Sequence, residues 1–223
     1  RVSYVITIDG PAGAGKSTVA KETAKRLGIK YLDTGAIYRA IALILHESEV
    51  KPVDDEIMRE ALDKISIELR GKAVLVNEFD VAGEIRTPEV DELASKYSAV
   101  PSVRQALLGL QKEQERHGSI VAEGRDVGSV VFPGAMVKFF LTASPEARAE
   151  RRYKERIAKG KPADYDEILT AIKERDINDS TRKTAPLVIP EGAIYLDTSD
   201  MTEEQAVQFI SDKVKEVLSH ESE

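Results

Sequence analysis

Eight residues constrain this chain more than any others: Gly10-Pro11-Ala12-Gly13-Ala14-Gly15-Lys16-Ser17, a complete G-x-x-x-x-G-K-[ST] motif. It follows the apolar, β-branched run Tyr4-Val-Ile-Thr-Ile8 and precedes a stretch, 17–27, that reads as a helix capped by Gly28. Strand, glycine-rich turn and helix in that order are the context the motif requires. The glycines let the backbone curl so that successive N–H groups point inward and cradle oxygen atoms. The following helix adds its positive N-terminus. Lys16 is suited to bridge β- and γ-phosphates, and the Ser17 hydroxyl to ligate Mg²⁺. By residue frequency such a pattern arises in roughly one chain in a hundred, and the strand–helix context lowers that further. The sequence is therefore read as a nucleoside triphosphate binder, with Lys16 facing solvent while no nucleotide is bound.

The pattern around the motif predicts an α/β fold. A short strand over 30–32 and a helix over 37–47 continue the alternation that a parallel sheet with helical crossovers needs. The middle breaks it. Segments 65–69 and 73–77 flank Arg70-Gly71-Lys72 as a hairpin, and 83–86 reads as a short third strand of the same insert. Thr87-Pro88 opens a short helix with Pro in first position, and 102–116 forms another that Gly118 ends. Strands over 119–122 and 137–141 then resume the alternation. A helix runs from Ser144-Pro145-Glu146 to Gly160, and Asp164 with Glu167 makes a capping box for one through Asp179. A last strand over 194–196 and an amphipathic helix capped by Thr202 and Gln205 close the chain. Five parallel strands, five or more helices and one antiparallel β-insert are expected.

Composition removes other chemistries. With no cysteine and three scattered histidines, the 223 residues offer no disulfide scaffold, thiol nucleophile or His-rich metal site. No apolar run reaches membrane-spanning length, and the N-terminus lacks the basic-then-apolar order of a signal peptide, so a cytosolic protein without a membrane anchor is expected. The net charge of −7 argues against a binder of nucleic acid polymers, which is usually basic. Between Arg148 and Lys183, however, 6 Arg and 5 Lys outnumber 8 acidic residues by 3. That segment reads either as a solvated face of paired charges or as one that meets a small polyanion.

Two relatives by motif are weighed. A GTPase switch needs a guanine-reading N-K-x-D segment; Asn77-Glu-Phe-Asp80 lacks the Lys and lies beside the hairpin. Asp80-Val-Ala-Gly83 mimics D-x-x-G inside the same insert, and both are read as turn chemistry. A large ATPase motor needs more chain. The strand over 119–122 runs instead into Glu123-Gly-Arg125-Asp126, a charged cluster at the strand end where α/β sheets bind ligands. Asp33-Thr34-Gly-Ala-Ile-Tyr38-Arg39 follows the second strand in the same way. Arg175, Asp179 and Arg182 fall on one helix face if that helix persists. With the phosphate loop, these clusters point to a second anionic ligand facing the triphosphate.

The chain resembles the bacterial cytidylate kinases, within the P-loop nucleoside monophosphate kinase superfamily. The resemblance spans essentially the whole sequence and rests on the phosphate loop, Leu32-Asp-Thr-Gly-Ala-Ile-Tyr-Arg39, Gly83-Glu-Ile-Arg-Thr87, Gly124-Arg-Asp-Val-Gly128, Val131-Phe-Pro133 and Ile172-Lys-Glu-Arg-Asp176 with Ala185-Pro-Leu187. It implies one kinase unit over 1–223. A monophosphate-binding region would occupy 34–118, with its β-insert at about 63–99, and a short lid would occupy 148–165. It implies Mg²⁺-dependent phosphoryl transfer from ATP to CMP or dCMP, in pyrimidine nucleotide metabolism, by a monomer.

Carried over by motif, the phosphate loop from Gly10 through Thr18 would hold ATP. Arg39 and Arg125 would hold the acceptor phosphate. Thr34, Asp126, Arg104 and Arg182 would read cytosine, with Tyr38 beside them. Arg175 and Asp179 would hold the pentose, with Ser95 supporting Asp179. Arg148, Arg151, Arg152 and Arg156 would lie on or next to the lid, Arg148 and Arg156 toward ATP. Lys16, Arg125, Arg182, Arg151 and Arg152 would stabilise the transferring phosphoryl group. Thr34 stands where many members carry Ser, and Glu123 where some carry Asp. Another monophosphate kinase and a non-catalytic nucleotide switch are the alternatives.

Overall fold

All five residues of the opening strand, Val5–Asp9, are buried, as expected for a run that is apolar on both faces and central in a sheet. The computed structural model describes residues 3–220. In chain order its elements are β1 (Val5–Asp9), α1 (Lys16–Leu27), β2 (Lys30–Asp33), α2 (Thr34–Glu47), α3 (Glu56–Leu62), β3 (Ile67–Arg70), β4 (Ala73–Val76) and β5 (Phe79–Asp80). There follow α4 (Pro88–Tyr97), α5 (Pro101–Glu113), β6 (Ile120–Gly124), β7 (Val137–Thr142), α6 (Pro145–Ala158), α7 (Tyr165–Thr181), β8 (Ile194–Asp197) and α8 (Glu203–His220). They divide between two units: one ends its opening stretch at Leu32 and resumes with Gly118–Thr181 and the residues from Pro186 onward, and the other is Asp33–His117 with Arg182–Ala185.

The first unit holds a five-stranded sheet in the order β2-β6-β1-β7-β8. Strand β1 pairs in parallel with β6 and with β7, and β7 in parallel with β8. The register places Ile8 opposite Glu123 and Asp9 opposite Gly124, so β1 and β6 end together. Helices α1 and α8 pack on the sheet through Val19, Ala20, Ala206, Val207, Ile210 and Val214 against Ile6, Ile8, Phe139 and Leu141. Local signals set their ends. Gly28, at φ 66°, closes α1 with its N–H on the Lys25 carbonyl. Thr202 and Gln205 form the reciprocal capping box before α8: the Thr202 N–H donates to Gln205 Oε1 at 2.9 Å and the Gln205 N–H to Thr202 Oγ1 at 3.2 Å. Helices α6 and α7 bury Ala149, Ile168 and Ile172 against Tyr153 and Tyr165, whose rings meet edge to face. No helix among the described residues is long and apolar enough to cross a membrane.

In the second unit, α2 packs on α4 and on the antiparallel sheet β3-β4-β5, enclosing Ala36, Ala40, Val74, Val76, Ile85 and Val90. The third strand of this insert is Phe79–Asp80, not the expected 83–86. Asn77 and Glu78 have φ of 48° and 72°, so the chain reverses in two residues directly after β4. Asp80 then ends the strand, its Oδ1 accepting the N–H groups of Val74 and Ala82, while 83–86 turns back on the Val81 carbonyl. Both GTPase-like segments are thus turn chemistry. Helix α2 starts three residues before the predicted 37 because the Asp33 side chain caps the Ala36 N–H. Helix α3 was not read from the sequence; seven residues carry too little periodicity, although Asp55 caps it through Met58. The predicted helix 102–116 divides into α5 and a 3-10 turn at Gln114–His117.

The sheet carries the first unit's stability, and Phe139 lies wholly inside it. Phe139→Ala is expected to lower the unfolding free energy by about 3–5 kcal/mol. Urea unfolding measures it; a midpoint unchanged from wild type contradicts this packing.

Candidate active site

The phosphate loop leaves β1 and enters α1 through Gly15, whose φ of 85° is left-handed. No side chain caps the first turn of α1, so its N–H groups face the loop without a built-in acceptor. Lys16 is buried rather than solvent-facing, which corrects the sequence expectation; its Nζ donates to the Pro11 carbonyl at 2.8 Å. The loop folds over the side chain and supplies the acceptor for its amine. Burial and then the neighbouring Arg125 guanidinium push the Lys16 amine down to about 7, against the opposing pull of Glu123.

Ser17 Oγ donates to Glu123 Oε1 at 2.7 Å, and the Tyr31 hydroxyl donates to the same oxygen at 3.1 Å. Hydroxyl and carboxylate are hard oxygen donors, and they fit Mg²⁺. No group of three or more His, Cys, Asp or Glu that could hold a metal exists among the described residues.

Beyond the end of β6, Arg125 donates from Nε to Asp179 Oδ2 at 3.0 Å, and Arg175 Nε lies 4.0 Å from the same oxygen. The predicted Arg175–Asp179 face of α7 is therefore present. Arg182 is not on it, because α7 ends at Thr181. Asp126 is buried beside Arg125. Asp9 is buried too, its carboxylate accepting the N–H groups of Val127 at 2.8 Å and Gly128 at 2.7 Å. Burial pushes the Asp9 carboxyl up to about 6 in spite of those two bonds.

The arginines of α6 serve different ends. Arg148 is buried and works as an internal tie: Nε to the Ala143 carbonyl at 2.9 Å, Nη1 to the Ala12 carbonyl at 3.1 Å, and its fork on both oxygens of Asp176. Arg151 donates to Thr198 Oγ1 at 3.2 Å and to the Thr198 and Met201 carbonyls. Both are thus tied to the protein's own acceptors. Arg152 and Arg156 are half-buried further along the helix.

In the second unit, Asp33 is the hub. Its Oδ2 accepts Arg39 Nη2 and Arg86 Nη2, each at 3.1 Å, while Oδ1 caps α2. Arg39 Nη1 also lies 3.7 Å from Asp91 Oδ1. The Arg104 guanidinium lies over the Tyr38 ring, 4.9 Å from its centroid, and donates to the Ser98 carbonyl at 3.0 Å. Arg182 donates to Ser98 Oγ at 3.3 Å and to the Ala185 carbonyl at 2.6 Å. Thr34 is buried at the start of α2, and Ser95 is half-buried on α4. Ser98 thus joins Arg104 to Arg182, and sequence reasoning missed it. It also gave no role to Asp9, Tyr31, Asp33 or Asp176. A signal existed for Asp33, which stands at the N-cap position of α2; the others are recognised only by what they touch.

The family model described as cytidylate kinase matches residues 6–216. A cytidylate kinase from Fervidobacterium nodosum is 52% identical over 211 residues, covering 95% of this chain and 96% of its own. One from Caldanaerobacter subterraneus subsp. tengcongensis is 49% identical, covering 94% of both. Among solved structures, an uncharacterized protein from Eubacterium ventriosum superposes with a TM-score of 0.51 at 13% identity, over 95% of this chain and 98% of its own; that likeness concerns the fold alone.

Because Arg148 ties the phosphate loop to α7 from a buried position, Arg148→Ala is expected to cost about 3 kcal/mol of stability, near the lower end for a broken buried ion pair since Asp176 keeps some water. Thermal and urea unfolding check it. A variant of wild-type stability with a raised KM for ATP would make Arg148 a phosphate contact instead.

Proposed function

This chain belongs to the cytidylate kinase family, and on that premise we propose that it transfers the γ-phosphoryl group of ATP to CMP or dCMP, giving ADP and CDP or dCDP. An oxygen of the acceptor phosphate bonds to the γ-phosphorus as the bond to the β,γ-bridging oxygen breaks, and the electron pair leaves on ADP. Such transfer asks little covalent work of the protein. It asks for two polyanions held in line while charge spreads over the group in transit.

The loop from Gly10 to Thr18 binds the donor phosphates through its N–H groups, and Lys16 exchanges the Pro11 carbonyl for a phosphate oxygen. Ser17 and Glu123 are the residues that would hold Mg²⁺, which would supply charge neutralisation to the donor phosphates. Arg39 and Arg125 take the acceptor phosphate with planar forks, Arg175 and Asp179 the pentose with Ser95, and Thr34, Asp126, Arg104 and Arg182 the cytosine, with Tyr38 under Arg104. Residues 34–118 act as the monophosphate-binding region and 148–165 as the lid, with Arg152 and Arg156 on its cationic face. A soluble, cytoplasmic monomer completes the reading.

The single observation that carries it is the end of β6. Glu123 takes the hydroxyl of the phosphate-loop Ser17, and two residues later Arg125 holds Asp179. One strand end thus serves both the donor loop and a residue pair suited to a second anion. Assay of ATP with each nucleoside monophosphate is the test: CMP and dCMP are turned over well, and Lys16→Ala lowers turnover by about 10²-fold or more. Absence of transfer to any monophosphate would leave only a nucleotide-binding protein.

Base choice depends on position 4 of the pyrimidine. Cytosine presents an N4 donor, which the Asp126 carboxylate accepts; uracil presents an O4 acceptor, which faces the carboxylate with no proton between. Unpaired polar groups of this kind cost about 1–3 kcal/mol, more when charged. CMP is expected to exceed UMP by at least about 10²-fold in kcat/KM. Asp126→Asn can turn its amide toward O4, so the ratio should contract, chiefly through lost CMP activity. An unaltered ratio removes Asp126 from base reading.

A further inference from the structure

Asp9 touches no substrate in the proposed reaction, yet it is wholly buried and commits both carboxylate oxygens to one neighbouring segment. Charge-assisted bonds from the Val127 and Gly128 N–H groups reach across from the loop after β6 to the last residue of β1. The approach is close. A Cβ placed on Gly128 would lie 2.7 Å from Thr7 Oγ1, 3.0 Å from Asp9 Oδ2 and 3.1 Å from Pro190 Cγ, so a side chain there has to displace Thr7 or press on the Asp9 carboxylate.

Beyond it, Val127–Val131 winds as a π-type turn, a rare form that recurs at functional sites. Its ends are closed by the Val131 N–H on the Asp126 carbonyl and the Phe132 N–H on the Val127 carbonyl. The backbone C-terminal to Asp126 is thus held by Asp9 and by the turn, while Gly124, two residues before Asp126, is held in the β1–β6 ladder. The residue after Asp9 is Gly10, the first of the phosphate loop.

We propose that Asp9 is a positioning residue for the acceptor: its carboxylate, acting through the Val127 and Gly128 amides, sets Arg125 and Asp126 at a defined distance from the phosphate loop. A carboxylate suits the task because it offers two acceptors at one fixed spacing. Asparagine offers one, and its NH₂ would face the second N–H. A displacement of about 1 Å in a reacting group costs about 10²-fold in rate, so a clamp at this point justifies the burial of a charge. The inference rests on the reading of Arg125 and Asp126 as acceptor-binding residues.

The test compares Asp9→Asn with Asp126→Ala in steady-state assays with CMP and UMP, alongside amide hydrogen exchange of the wild type and Asp9→Asn. In the wild type the Val127 and Gly128 amides exchange slowly; in Asp9→Asn they lose protection. With the phosphate loop still anchored by the β1 ladder, KM for ATP stays near wild type. kcat/KM for CMP falls by about 10²-fold, and the CMP-to-UMP ratio contracts toward that of Asp126→Ala. Should Asp9→Asn not fold, Gly128→Ala, which presses on the same carboxylate oxygen, is held to the same ratio. A CMP-to-UMP ratio that stays at the wild-type value in the Asp9 or Gly128 variant, while Asp126→Ala changes it, overturns the proposal and leaves the acceptor reading standing. A ratio that Asp126→Ala also leaves unchanged sinks the acceptor reading, and the proposal with it.

Discussion

Backbone hydrogen bonds join β1 and β6 in parallel register, from Val5 opposite Ile120 to Asp9 opposite Gly124. The two strands therefore end at the same level, and the segments leaving them must share the space beyond. After β1 comes the phosphate loop; after β6 come Arg125 and Asp126. Two contacts of the first unit's polar cluster build on that coincidence. Ser17 meets Glu123 because the helix after one strand starts beside the end of the other. Asp9 meets Val127 and Gly128 for the same reason. The register itself is held by side chains with no part in chemistry, Ile6, Ile8, Val121 and Phe139, all buried in one core.

Such an arrangement gathers like charges in a buried place. Burial first, and then Arg125 and Arg175, push the Lys16 amine down, with Glu123 and Asp179 opposing. Internal acceptors hold two of these cations: the Pro11 carbonyl takes Lys16, and Asp179 takes Arg125. The same device operates in the second unit, where Asp33 holds Arg39 and Arg86 together and Ser98 holds Arg104 and Arg182. Paired and hydrogen-bonded, the buried and half-buried charges among them are tolerated.

Two cations of the arginine-rich stretch bond chiefly to the main chain and to α7. Arg148 and Arg151 spend their donors on main-chain carbonyls and on Asp176. They brace the loops around α6 rather than extend from it. Composition alone could not separate them from Arg152 and Arg156, since all four recur within nine residues of one helix.

Features that depend on neighbours in the chain were legible before any folding was considered. The phosphate loop, the Gly28 cap, the Thr202–Gln205 box, the hairpin after Ile67 and the spacing of Arg175 and Asp179 are all settled within a few residues, by φ preferences and helical period. The resemblance carried by its motifs agrees with the family that the chain belongs to. The remainder waited on packing. Lys16 is buried because a carbonyl of its own loop turns toward it, which no spacing announces. The third strand of the insert shifted because the Asn77-Glu78 turn came earlier than the apolar pattern implied. Arg182 left the helix face because α7 stops one residue before it. Asp9, Tyr31 and Asp176 gained their roles from partners 28 to 119 positions away. A polar side chain declares its partner only when the partner is within a turn; beyond that distance, the packing of the sheet and helices chooses it.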